Sequence, residues 1–410
     1  MNEILGIVSE YNPFHNGHLH HLNYSKQLTK TSFTIAIMSG NFTQRGDTAL
    51  VDKWTRAEMA LKSGIDLVIE LPTLYAISSA ENFANGAIKI FNSLGIVDYI
   101  SFGSEIGKIE PLNEIASFLY KEPKEFSSLI SKQLKSGLSY AKARELATSM
   151  YFGSSQKYKE ILQGSNNILA IEYLKALKKY KSTIKPITMK RDYSEYNSNT
   201  VKNGIASATA IRTMIEQNKN IHYVVPYETY DLLEQKMKNK ELIKNLSVFE
   251  KEILYNLRRM TVQEISNLPD VSEGLEFRIK EAANNSSNLE TLLLNIKTKR
   301  YAETRIRRIL LYSLLGIKQR DINISKRVTP YIRVLGFNKH GKRIISAIAS
   351  NNSKLKIIIS LKKFMETNFD PMLKNMISKD ILATNIYTLG YGSNSGLANL
   401  DYTHKIVEIK

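Results

Sequence analysis

The residues of this chain best equipped for chemistry lie near its start, in the stretch Ile4-Leu5-Gly6-Ile7-Val8-Ser9-Glu10-Tyr11-Asn12-Pro13-Phe14-His15-Asn16-Gly17-His18-Leu19-His20. Here an apolar run gives way to a turn and then to a helical pattern. The start of a helix leaves backbone N–H groups unpaired and carries the positive end of the helix dipole, so it favours an anion. Gly17 keeps the backbone open to a phosphate. His15 and His18, three positions apart on one helix face, can donate to phosphate oxygens as negative charge builds up. His20 and His21 follow at once and raise the question of zinc. Hydrolytic zinc sites join histidine to carboxylates or further histidines at helical spacing, whereas Asn16 and Gly17 intervene here, and no metal ligand is assigned. A second stretch, Ile205-Ala206-Ser207-Ala208-Thr209-Ala210-Ile211-Arg212, offers Ser207 as an N-cap and Thr209 in a first helical turn. Arg212 lies on the same face as a fork for phosphate oxygens. Alone it reads as a capped helix with a solvated arginine; beside the histidine stretch it reads as the other half of a phosphate site.

The elements that must position these residues alternate. Apolar runs at Ile4–Ser9, Phe33–Met38, Asp66–Leu71, Tyr99–Phe102 and Ile184–Met189 read as strands, and Trp54–Lys62, Ser78–Leu94 and Ile168–Leu177 as helices. Alternation of this kind predicts an α/β, Rossmann-like parallel sheet, with ligands outside the C-terminal ends of its strands. A polar helical insertion spans about 107–163, and an asparagine-rich loop follows the fifth strand. From about Tyr227 helical periodicity dominates, at Tyr230–Met237, Val248–Leu257, Leu289–Ile296, Thr304–Leu315 and Gly341–Ala349, until Ile386–Leu389 and Ile406–Ile409 read as strands that could pair. The expected division is a catalytic domain over 1–226 and a mainly α-helical domain over 227–410.

The 410 residues contain no cysteine, which excludes a disulfide framework, a thiol nucleophile, an iron–sulfur cluster and any thiolate zinc site. The N-terminus lacks a signal-peptide pattern, and no apolar run approaches the roughly 18–20 residues of a membrane span, so a soluble cytoplasmic protein with no membrane partner is expected. Net charge is +18, and its placement is uneven. Residues 1–100 carry 7 Lys+Arg against 9 Asp+Glu, while Lys297 to Arg343 carry 14 against 2. A basic field set apart from a nearly neutral N-terminal region predicts chemistry in front and a polyanion held behind.

The two phosphate motifs, in this order, resemble those of the HIGH-type nucleotidyltransferase superfamily. Further stretches resemble the bacterial tRNA(Met) cytidine acetate ligase family: Gly40-Asn41-Phe42-Thr43-Gln44-Arg45-Gly46-Asp47, Val51-Asp52-Lys53-Trp54-Thr55-Arg56-Ala57, Asp66-Leu67-Val68-Ile69-Glu70-Leu71-Pro72 and Phe102-Gly103-Ser104-Glu105. So do Asn166-Asn167-Ile168-Leu169-Ala170-Ile171-Glu172-Tyr173-Leu174, Lys190-Arg191 and Thr298-Lys299-Arg300-Tyr301-x-x-Thr304-Arg305-Ile306-Arg307-Arg308. The resemblance implies ATP as co-substrate, held by Ile7 to His20 with His15 and His18 nearest the phosphates, and by Gly103, one asparagine of the Asn166-Asn167 pair (Asn166 the first choice) and Arg191. It implies elongator tRNA(Met) and acetate as the other substrates, with Lys299, Arg300, Arg305, Arg307 and Arg308 on the tRNA, and magnesium as a companion of the triphosphate with no assigned ligand. Two positions depart from the pattern: Ala208 stands where a third hydroxyl is common, and Ala170 where glycine is expected, the latter read as helix packing.

The implied chemistry is acetate activation. Acetate attacks the α-phosphate of ATP to give acetyl-adenylate and pyrophosphate, and the exocyclic amine of the wobble cytidine then displaces AMP. The protein's part is positioning and charge neutralisation, not a covalent nucleophile. Asp47, Asp52 and Lys53 are candidates for assisting the second step, and Tyr11, Phe14 and Phe42 for stacking on the cytosine. Two other readings compete: an adenylyltransferase acting on a phosphorylated metabolite, which leaves the basic segment without a task, and a non-catalytic RNA-binding relative, which leaves two intact phosphate motifs unused.

Overall fold

The computed structural model describes residues 3–152, 156–191, 204–328, 331–352, 354–392 and 397–410. The asparagine-rich stretch 192–203 lies outside them. Five strands, β1 (Ile4–Ser9), β2 (Phe33–Ser39), β3 (Leu67–Leu71), β4 (Tyr99–Ser104) and β5 (Lys185–Lys190), run parallel in the spatial order β3-β2-β1-β4-β5. Each falls within a residue or two of its expected place. Their side chains alternate between two cores, as a sheet covered on both faces requires. Ile35, Ile37, Leu67 and Ile69 join one, while Ala36, Met38 and Val68 join the other. Helices α1 (Asn16–Thr29) and α2 (Lys53–Lys62) belong to the second core. Helices α3 (Ala80–Leu94) and α4 (Ser165–Lys179) belong to the first. The insertion is helical as expected, at Ile109–Lys121, Lys124–Lys135, Tyr140–Tyr151 and Gln156–Gln163.

The C-terminal half is mainly helical, yet it also completes the sheet. Strand β6 (Ile332–Phe337) adds antiparallel to the outer edge of β3, with β7 (Ile357–Ile358) and β8 (Val407–Glu408) paired parallel to β6. The sequence reading missed β6 because Arg333 interrupts the apolar run and sits in the basic segment. Here that arginine is buried, bonded to Asp401 (2.5 Å) and Glu70 (3.3 Å). The expected pairing of Ile386–Leu389 with Ile406–Ile409 is not formed. Residues 386–388 end the helix Pro371–Thr388, and Val407–Glu408 pairs with β6 instead. Lys53 bonds Glu70 (2.9 Å) and Asp401 (2.7 Å), so two cations and two carboxylates close the seam between the halves. Asp380 lies beside them, accepting from the Thr73 amide (2.7 Å) and the Tyr331 hydroxyl.

Candidate active site

At the C-terminal end of β1 the chain turns through Tyr11, a non-glycine residue at φ +45°, before α1 begins. The Asn12 side chain holds this turn: its carbonyl oxygen accepts from the Leu50 amide (2.7 Å) and its NH2 donates to the Thr48 carbonyl (3.4 Å). Arg212, expected to offer its fork to phosphate, donates to the Asn12 carbonyl (2.9 Å) and to the Thr209 hydroxyl (3.2 Å). Ser207 caps the helix Ala208–Glu216 by accepting from the Ala210 amide. The second motif therefore clamps the first, bringing a positive charge with it.

The histidine geometry is specific. His15 is the N-cap of α1, its Nδ1 accepting from the Gly17 amide (3.1 Å), and the Nδ1 of His18 accepts from the His15 amide (3.3 Å). In a neutral imidazole whose Nδ1 accepts, the proton sits on Nε2, so both rings present an N–H donor. The rings stack with centroids 3.7 Å apart. A Cβ at Gly17 would sit 3.0 Å from the His15 ring, which is why glycine stands there. Burial, with Arg191 and Arg212 nearby, pushes His15 down to about 3. Burial, with His15 and Arg191, holds His18 well below its ordinary value. Both are neutral donors at working pH.

His21 presents the opposite polarity. Ser25 Oγ donates to the His21 carbonyl (2.7 Å), so its bond with Ser101 Oγ (2.7 Å) takes the Ser101 proton, and His21 Nε2–H donates to Ser101 (2.7 Å). Nδ1 of His21 is left as an acceptor, and burial followed by Arg191 lowers this histidine to about 4.

These residues line a cleft of two chambers. His15, Gly17 and His20 face the first, together with Met189, Lys190, Ile205 and Ala206. Ile7, Val8, Ser9, Tyr11 and Asn166 face the second, together with Phe102, Leu169, Ala170 and Tyr173. His18, His21, Gly103 and Arg191 belong to both. Gly103 is glycine because the Arg191 side chain lies over it, 2.8 Å from where a Cβ would be. Arg191 donates to Asn166 Oδ1 (3.2 Å), and Asn166 donates to Glu105 (2.8 Å). Asn167 does not line either chamber: it is buried, its oxygen accepting from the Glu105 and Ile106 amides and its NH2 donating to the Ile161 carbonyl.

Other candidates support the cleft without lining it. Glu10 accepts from the Gln44 amide (2.8 Å), Phe14 is fully buried, and Asn16 donates to the Gly204 and Tyr223 carbonyls. Pro13, Leu19, Ser207 and Thr209 are likewise outside both linings. Of the proposed stacking residues, Phe14 and Phe42 are core, Phe42 packing on Phe249 and Tyr387, while Tyr11 packs on Phe14 and also lines the second chamber. Asp47 accepts from the Leu246 amide, and Asp52 caps α2 and pairs with Lys236. With Lys53 in the seam, these three hold structure together. Sequence reasoning passed over His21 except as a metal candidate, and it took Tyr173 only as part of a motif. The spacing of Asn166, Leu169, Ala170 and Tyr173, which marks one helical face, was the available signal.

Within the basic segment, helix Glu303–Leu314 turns several of its cations inward. Arg308 is 8 % exposed and pairs with Asp270 (3.2 Å), while Arg305 donates to the Asp270 carbonyl and to Ser272. Arg307 and Lys297 share Glu303, and Arg300 pairs with Glu273 (2.8 Å). Lys299, Lys318, Arg320, Lys326, Arg327, Lys342 and Arg343 are exposed. Among the described residues no helix is long and apolar enough to cross a membrane.

The HIGH Nucleotidyl Transferase family model matches residues 1–399. A tRNA(Met) cytidine acetate ligase of Thermoanaerobacter sp. strain X514 is 47% identical over 99% of this chain and 100% of its own length. The chain belongs to the tRNA(Met) cytidine acetate ligase family. A second ligase, from Acetivibrio thermocellus, is 41% identical over 99% of both chains. Apo Thermotoga maritima TmcAL superposes with a TM-score of 0.95 at 33% identity, covering 99% of each chain. The same protein bound to alpha-thio ATP superposes at 0.91. Thermotoga maritima TmcAL thus shares this architecture over nearly the whole chain.

Proposed function

We propose that this protein uses ATP and acetate to acetylate the exocyclic amine of the wobble cytidine of elongator tRNA(Met). The observation that carries this is the pair of stacked, neutral imidazoles, each with Nδ1 tied to backbone and Nε2–H left to donate, beside Arg191 and at the start of α1. Such a site stabilises charge on a transferring phosphate without forming a bond to it. An acetate oxygen attacks the α-phosphorus, the bond to the bridging oxygen of the β-phosphate breaks, and pyrophosphate leaves with that electron pair. The cytidine amine then attacks the acetyl carbon, AMP departs, and the amine gives up one proton to solvent. Tyr11, Phe14 and the Asn12-held turn fix the imidazoles, so donors need no rearrangement as charge develops.

Magnesium finds no group of three His, Asp or Glu among the described residues to hold it, and no step is assigned to it. The exposed cations of the basic segment, with Lys299 among them, hold the tRNA backbone, which positions the RNA without reading its sequence. The division of labour follows residues 1–226 and 227–410, with the shared sheet fixing one against the other. An adenylyltransferase acting on a phosphorylated metabolite has no use for that basic face.

The test is pyrophosphate release from ATP by the purified protein, followed by mass analysis of the tRNA nucleosides. Release that depends on acetate, with acetylcytidine appearing only in tRNA(Met), is the expected result. Release driven by a phosphorylated metabolite in the absence of acetate would replace this reading with the adenylyltransferase.

A further inference from the structure

The second chamber has a composition unlike the first. Polar and apolar groups share its wall about equally, with Ile7, Phe102 and Leu169 among the apolar ones, and it holds two phenols, Tyr11 and Tyr173. Both tyrosines are 2 % exposed. A buried phenol ordinarily finds a partner for its hydroxyl. Neither of these hydroxyls has a hydrogen-bond partner among the described residues, and neither is one of the sealed, unpartnered polar atoms of the interior. Two donors have been brought into one chamber, and none of the described residues accepts from either.

We infer that this chamber is the acyl subsite, in which the Tyr11 and Tyr173 hydroxyls donate to the carboxylate of a short-chain acid while Leu169 and Ala170 bound its alkyl end. The inference rests on the ligase reading above and deepens it, naming the part of the cleft that reads the acid. Three further observations support it. Burial raises both phenols, with the Glu10 carboxylate adding to the effect at Tyr173, so each keeps its proton and remains a donor. Arg191, on the wall shared by the two chambers, brings a positive charge that attracts a carboxylate. His18 is on that same wall, so an acid held here lies next to the donors that face the phosphates.

Helix α4 supplies the remaining logic. Asn166, Leu169, Ala170 and Tyr173 occupy one face of it, with polar groups at either end and aliphatic ones between. Glu105 fixes that helix by accepting from the amides of Asn166 and Asn167 (3.0 and 2.7 Å), so the depth of the chamber is set by a pinned helix. Ala170 is therefore more than helix packing: its methyl group is part of the wall. One methylene in such a pocket discriminates by roughly 10–200-fold.

Steady-state tRNA acylation should be measured with acetate and with propionate for wild type, Tyr173→Phe and Leu169→Ala. Tyr173→Phe keeps the ring that packs on Phe102 (5.5 Å) and removes only the hydroxyl. It should raise the KM for acetate at least tenfold, with smaller changes in the KM for ATP and for tRNA. Leu169→Ala should raise the propionate-to-acetate ratio of kcat/KM at least tenfold. A Tyr173→Phe enzyme whose KM rises for tRNA and not for acetate would give the chamber to the cytosine and overturn the inference, as would an unchanged acid preference in both variants. A wild-type protein that transfers neither acid would instead bring down the ligase reading itself, a result distinguishable from either.

Discussion

At the strand ends, three histidines lie close to Arg191 and Arg212 and are held neutral. Across the sheet, at the seam where β6 meets β3, Lys53, Arg333, Glu70 and Asp401 are buried as well, and they are joined in ion pairs. The difference lies in pairing. In the seam every cation touches a carboxylate, so the four charges cancel, and Asp380 is left as the surplus acid. Burial, with Glu70 nearby, pushes it up to about 7. In the cleft Arg212 and Arg191 donate to oxygens of Asn12 and Asn166, and their positive field falls on the histidines and helps hold them neutral. A cationic field over neutral donors favours an anionic ligand; a closed set of ion pairs holds two halves of a chain together.

The sharpest way to break this comparison is to remove one charge from the seam. Lys53→Met leaves Glu70 and Asp401 short of a partner and should cost about 3–5 kcal/mol of stability, as read by denaturant unfolding. The same change should leave the ATP affinity of the folded fraction near wild type. In the cleft the expectation is reversed. His18→Ala should reduce acetate-dependent pyrophosphate formation by roughly two to three orders of magnitude, with an unfolding midpoint close to wild type. A wild-type rate in the folded variant would remove His18 from the chemistry.

A smaller effect separates the regions by sign. The histidines have folded values below their unfolded ones, so the native state binds fewer protons, and their contribution is lost as pH falls from about 6.5 towards 4. Asp380 has a folded value above its unfolded one, so its contribution is present below about pH 4 and lost as pH rises towards 7. Stability measured against pH should therefore lose part of its acid limb in His21→Gln, and part of its decline between pH 5 and 7 in Asp380→Asn. Identical slopes in the two variants would erase the distinction.

What the sequence disclosed follows the same line. The five parallel strands were legible because each is a short apolar run bounded by a turn, and the HxGH stretch was legible because its residues are neighbours in the chain. Strand β6 was hidden by Arg333, a charge whose burial depends on Glu70 and Asp401, both remote in sequence. Arg212 and Arg308 were read as ligand contacts for the converse reason. Nothing local reveals that one also donates to the Asn12 carbonyl and the other also pairs with Asp270. Tyr173 was visible only as an aromatic on a helix, since an unpartnered hydroxyl is a fact about surroundings.

The pairing of β6 with β3 also sets a timetable. All five residues of β3 are buried in the finished protein, and the strand that covers its outer edge begins only at Ile332. At roughly 5–20 residues per second, a ribosome needs on the order of tens of seconds to travel from Leu71 to Phe337. Throughout that interval the nascent chain carries an apolar strand with one row of amides and carbonyls open to any other chain that offers an edge. Synthesis in the cell is therefore the most vulnerable period for this fold, and chaperone demand during translation should be set by this one late-arriving strand.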